Sequence, residues 1–112
     1  MAIVDALLPE FDREMTITRR LLERVPEDKF AWKPHAKSMS LVELATHVAT
    51  LPGWGAVTLT ESDVDMGGRN ASTAATSHAD LLARFDTNAS QARVALTGRS
   101  DAEMMAPWSL RQ

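Results

Sequence analysis

Leu8, Phe11, Met15, Thr18, Leu22 and Val25 recur at alternating three- and four-residue steps, a mainly apolar series that marks one face of a helix. Pro9 fits a first helical turn, where its missing N–H costs little, so the main body is expected to start there, with residues 3–8 adding a turn. Pro26 ends the helix, because the residue before a proline is pushed out of the α region. Residues 26–39 show no helical period and carry Pro34. They read as a connection wrapped over the bundle, with Phe30 and Trp32 as its apolar anchors.

A second helix is expected from Leu41. Ser40 and Glu43 have capping-box spacing, and Leu41, Leu44, Ala45 and Val48 fall at i, i+3, i+4 and i+7. Pro52-Gly53 should kink or interrupt this helix, with Val57 and Leu59 continuing it toward Glu61. Residues 61–76 are small, polar and glycine-bearing, and Met66-Gly67-Gly68-Arg69-Asn70 among them reads as a flexible loop. Ser77 and Asp80 then open a third helix. Its stripe of His78, Leu81, Leu82, Phe85, Ala89, Ala92 and Leu96 is the cleanest in the chain, and Gly98 is its natural stop. Residues 100–112 read as a short turn and an extended piece. Beyond that tail the pattern holds nothing β-rich.

The expected fold is therefore all-α: an up-down helical bundle in a single domain, residues 1–112, with three long helices and an extended C-terminal tail. Three one-sided stripes close most comfortably around a fourth helix. The chain ends at Gln112 without capping residues or a polar taper, so a four-helix design incomplete at its C-terminus is expected, its missing element supplied by association. Two copies, exchanging segments or not, would cover the groove between the stripes.

Composition narrows the function classes. At 112 residues, 45% hydrophobic and 24% charged, the chain matches an ordinary single domain. A net charge of −3 without a basic cluster argues against nucleic acid as a partner. With no cysteine, there is neither a disulfide nor a thiolate nucleophile or zinc ligand. No apolar run approaches the ~20 residues needed to cross a membrane, and no signal-peptide pattern opens the chain, so a cytoplasmic location is expected. The Asn70-Ala71-Ser72 sequon then carries no meaning. No acid pair, nucleophilic triad or glycine-rich phosphate loop stands out.

The run Leu21-Leu22-Glu23-Arg24-Val25-Pro26-Glu27-Asp28-Lys29-Phe30-Ala31-Trp32-Lys33-Pro34-His35, followed by Lys37-Ser38-Met39-Ser40-Leu41 and Glu43-Leu44-Ala45-Thr46-His47, resembles the DinB/YfiT-like superfamily. Pro107-Trp108-Ser109-Leu110-Arg111 looks like the lead-in to that family's last helix. The resemblance implies a four-helix bundle, often a homodimer, acting as a metal-dependent hydrolase or as a transferase or isomerase using low-molecular-weight thiols. It further implies a divalent metal, zinc or nickel, held by three histidines. One of these maps onto His47; the other two belong to a His-x-x-x-His pair on a last helix that this sequence does not contain. A non-catalytic helical dimerisation module that has lost the metal site is the alternative.

From spacing alone, His47 lies at the edge of the second helix's apolar stripe, where it can be half-buried and still be reached from a cleft. Glu43, one turn before it, is expected to serve the helix cap rather than the imidazole. His78 reads as a core histidine and His35 as a loop residue. No two of the three histidines stand at i, i+3 or i, i+4.

Overall fold

The computed structural model describes residues 2–65 and 73–111. It is mostly helical: α1 spans Ile3–Glu23, α2 Leu41–Thr60, α3 His78–Leu96 and the short α4 Asp101–Met104. A single 3₁₀ turn, Glu27–Lys29, lies between α1 and α2. Three long helices thus form, as the periodicities indicate. Residues 66–72, including the glycine pair and the sequon, lie outside the described residues.

Several expectations are refined or corrected. Residues 3–8 add the turn expected of them and more, nearly two turns, so Pro9 sits inside α1 rather than in its first turn. That early start is held by the Ile3 N–H, which donates to Asp101 Oδ1 at 2.7 Å, and by the Ala2 N–H, which donates to Asp5 Oδ2 at 3.1 Å. These carboxylates satisfy donors that a helix N-terminus leaves free. The residue 61–76 segment is not uniformly loop: Asp63–Asp65 forms β1, which pairs in parallel with β2, Ser109–Arg111, in the tail. Val64 is the reason this short ladder is worth making, since it is 1% exposed. Trp32, finally, is no plug; it stands 56% exposed, while Phe30 is half-buried.

α3 is the central element, packing extensively on α2 and along a second side on α1, whereas α1 and α2 meet almost wholly through it. The core joins Leu22 of α1, Ala45 and Ala49 of α2, Leu81 and Phe85 of α3, and Ala75 just before α3. α2 turns a face of small residues inward (Ala45, Thr46, Ala49 and Pro52 are its buried positions), and that lets α3 approach closely. Leu44, expected on the inner face, is consequently 50% exposed. The buried Thr46 hydroxyl accepts the Ala75 N–H at 3.0 Å, pinning the segment that leads into α3.

The helix starts are built as their sequences require. The Ser40 Oγ accepts the Glu43 N–H at 3.2 Å and Glu43 Oε1 accepts the Ser40 N–H at 2.9 Å, completing the capping box. Ser77 Oγ accepts the Asp80 N–H at 3.0 Å, and Glu27 Oε1 reaches across to take the His78 N–H at 2.6 Å. Gly98, at φ +79°, supplies the left-handed turn just past α3. Pro52 lies inside α2, which is not interrupted there and continues to Thr60, as Val57 and Leu59 indicate.

These caps carry a pH signature. The backbone N–H of Ser40 holds Glu43 below its ordinary value of 4.5, that of Thr76 holds Asp80 below 3.8, and that of Ser100 holds Glu103 below 4.5. The guanidinium of Arg93 does the same for Asp12, whose ordinary value is 3.8. Because the folded values lie below the unfolded ones, the stabilisation is complete above the unfolded values and is lost as pH falls through the folded ones. The thermal midpoint followed by circular dichroism is expected to fall progressively from about pH 5 downward. A midpoint that holds steady or rises over that range would contradict the caps. Glu43 and Glu103 are exposed and Asp12 and Asp80 only half-buried. The Asp12 carboxyl and Arg93 guanidinium are 46% and 51% open to water, so added salt should blunt the contribution of that pair.

The molecule is broad and thin, 46 × 32 × 21 Å. Its radius of gyration, 15.8 Å, exceeds the ~13 Å of a compact domain of this length. Both α1 and α2 accordingly keep an apolar side in water. Ile3, Leu7, Ile17 and Leu21 are exposed on α1, and Leu44 and Leu51 on α2.

Candidate functional site

His47 is exposed, more open than the half-buried position expected from the stripe. The reason is the rotation of α2: with Ala45, Thr46 and Ala49 turned into the core, the side bearing Leu44, His47 and Leu51 faces outward. Leu44 precedes the histidine by three residues and Leu51 follows by four, so all three share one stretch of surface. The His47 carbonyl accepts the Thr50 hydroxyl at 3.0 Å, a bond that engages the backbone and not the imidazole. Glu43, one turn earlier, is engaged in the cap described above, as its spacing indicates.

The other histidines are placed elsewhere. His78 is half-buried, its Nε2 3.0 Å from the Leu22 carbonyl, so a ring N–H donated there ties α3 to the end of α1. That is the core role its stripe position suggests. His35 is exposed, and its Nδ1 accepts the Lys37 N–H at 3.2 Å within its own loop. The three histidines therefore serve three different elements. Among the described residues no group of three His, Asp or Glu side chains converges to hold a metal ion. A three-histidine centre does not fit within one copy of this surface; it offers one imidazole, where a catalytic site of that kind commonly needs three protein ligands and an open position.

Sequence reasoning missed a second feature, a groove of about 560 Å³ between α1 and α3. Its apolar lining is Phe11, Met15, Phe85 and Ala89, and its rims are crossed by two forked ion pairs. Arg93 Nε and Nη2 meet Asp12 Oδ1 and Oδ2 at 2.8 and 3.0 Å, and Arg19 makes the same fork with Asp86 at 3.0 and 3.0 Å. These two guanidiniums are matched by carboxylates, while Arg20 also lines the groove. The pairing partners stand 81 and 67 residues apart in the chain, beyond any local spacing rule. The hint that existed was Asp86 and Arg93 at i and i+7 on α3, matched by Asp12 and Arg19 at i and i+7 on α1.

No described helix is long and apolar enough to cross a membrane. Comparison with protein-family models, with curated proteins and with solved structures found no match.

Proposed function

We propose that this chain is a DinB-like helical subunit that works by association, presenting His47 as one ligand of a divalent-metal site whose remaining ligands arrive with the polypeptide seated on its open face. The observation that supports this is the exposed imidazole set between two exposed leucines on the outer stripe of α2. Grouped large apolar side chains in water mark a surface that another surface covers. A neutral imidazole suits zinc or nickel. The metal-dependent hydrolase or low-molecular-weight-thiol transferase activity implied by the resemblance then belongs to the assembled form, acting on a small-molecule or thiol substrate. The residues of one copy carry no reaction step on this face.

The dispersal of the three histidines over three elements favours a second reading, a non-catalytic helical dimerisation module without a metal site. The two part company on one measurement. Wild-type chain and His47→Ala are dialysed against zinc or nickel and the retained metal is quantified by plasma mass spectrometry. Wild type is expected to hold metal at least about tenfold more tightly than the variant. Equal retention by both would remove His47 from any metal site and leave the module.

A further inference from the structure

We infer that the exposed loop between α1 and α2, residues 31–40, is a docking surface for an anionic lipid bilayer, with its lysines among the headgroups and the side chains of Trp32 and Met39 dipping into the interface. The contact is peripheral and independent of the role proposed for His47. The loop is built to project. The Trp32 carbonyl accepts the Leu41 N–H at 2.8 Å and the Phe30 carbonyl accepts the Val42 N–H at 3.1 Å, so its two ends are tied together. Compact loops closed in this way are frequently functional. A turn inside it is fixed as well: the His35 carbonyl accepts the Ser38 N–H at 3.0 Å, beside the Lys37 N–H bond to the His35 ring. Every residue from Ala31 to Lys37 is exposed.

Charge identifies the partner. The chain has three lysines, Lys29, Lys33 and Lys37, and all of them lie in this loop or at its foot. Between Asp28 and Glu43 there is no acid, so the net −3 of the chain divides into +3 over residues 29–42 and −6 over the rest. Their four-residue spacing makes no run in the sequence; it is the closed loop that holds Lys33 and Lys37 on one projection. None of the three ammonium groups is in an ion pair with a described residue. The acids at the foot are largely engaged with helix starts. Glu27 takes the His78 N–H and Glu43 the Ser40 N–H, and the positive helix poles there offset both carboxylates. Lys33 lies close enough to help hold Glu43 ionised without pairing with it. Asp28 remains, beside Lys29.

The apolar side chains decide which anionic partner fits. Trp32 is 56% exposed and Met39 47%. An indole has an apolar body and a polar N–H, which suits the headgroup level of a bilayer. The flexible thioether chain of Met39 adapts to irregular surroundings. A bilayer surface offers both complements, negative charge at the headgroups and hydrocarbon beneath them. A single-stranded nucleic acid would need successive stacking platforms and a basic groove to follow its backbone. This loop has one exposed indole, and the chain around it is acidic. A bilayer can be met by the loop alone, and body charges more than about 8 Å away are screened at physiological salt.

The test is flotation of the full chain with vesicles of pure phosphatidylcholine and of phosphatidylcholine mixed with phosphatidylserine. Wild type is expected to bind the phosphatidylserine vesicles at least about tenfold more tightly, and to lose most of that preference in high salt. Lys37→Glu should weaken this binding at least about fivefold. Trp32→Ala should weaken it by about as much and abolish the blue shift of tryptophan emission that the vesicles induce in wild type. Arg13→Glu makes the same change of net charge on α1 and should bind as wild type does. All three positions are exposed, so the circular dichroism of each variant should match that of wild type. Equal binding to both vesicle types, binding to neither, or equal weakening by Arg13→Glu and Lys37→Glu would overturn the docking surface. Capture of single-stranded polyuridine in place of the vesicles would overturn it too, and would assign the loop to nucleic acid.

Discussion

Phe85→Ala is expected to destabilise the chain by about 3–5 kcal/mol, the usual range for emptying a fully buried aromatic position. Phe85 is 2% exposed and stands where α3 meets both of its neighbours, in the cluster that includes Leu22, Ala45, Ala49 and Leu81. The small residues of α2 cannot lean in to refill the space, since the helix is already set at close range. Against a total stability of roughly 5–15 kcal/mol, such a loss would leave a large share of molecules unfolded near body temperature. Urea denaturation followed by circular dichroism measures it. Val94→Ala on the same helix, at 74% exposure, is the control and should stay within about 0.5 kcal/mol. A Phe85 variant as mild as that control would mean the core is centred elsewhere.

The second large effect is a coupling. Pro52 has no N–H to give the Val48 carbonyl, so α2 is short of one donor in that turn. One residue on, the Ala49 carbonyl, from a residue with 0% exposure, receives the Asn88 Nδ2 of α3 at 3.1 Å. A methyl group placed on Gly53 would stand 2.8 Å from Asn88 Oδ1, so Gly53→Ala must push this amide away. Loss of the Asn88 bond in Asn88→Ala is expected to cost about 0.5–1.5 kcal/mol, the usual net worth of one hydrogen bond, since the Ala49 carbonyl keeps its helical partner. Gly53→Ala should incur a similar loss, offset by up to about 1 kcal/mol of improved helix propensity. In the Asn88→Ala background the clash is gone, and Gly53→Ala should stabilise. A double-mutant cycle by urea denaturation is expected to show that reversal of sign. Strictly additive effects would mean that Asn88 and Gly53 do not share the space.

The features legible in the sequence were those that local spacing decides. Ser40 with Glu43, Ser77 with Asp80, and Gly98 each act within one turn, and each was placed correctly from residue type alone. The stripe of α3 was legible because it is buried against neighbours on both sides. α2 was harder: its apolar positions wrap much of the helix, and only the tertiary contact with α3 selects the small-residue side as inner. That choice put Leu44 and His47 farther out than periodicity indicated. The full extent of α1 before Pro9 was not legible because Asp101, nearly a hundred residues away, supports those turns. β1 was unreadable for a related reason, since a three-residue strand exists through its partner and not through its own pattern.

The central position of α3 has a consequence for communication across the molecule. With α1 and α2 meeting almost wholly through it, whatever happens in the groove on one side reaches the His47 face chiefly by way of α3. Phe85 is common to both territories, lining the α1–α3 groove and packing in the same cluster as Ala45 and Ala49. A guest that displaced this ring would disturb the backbone of α2 from behind, two residues from the histidine. The thin, three-helix layout thus leaves one aromatic side chain lining the groove on one side and packed against α2 on the other.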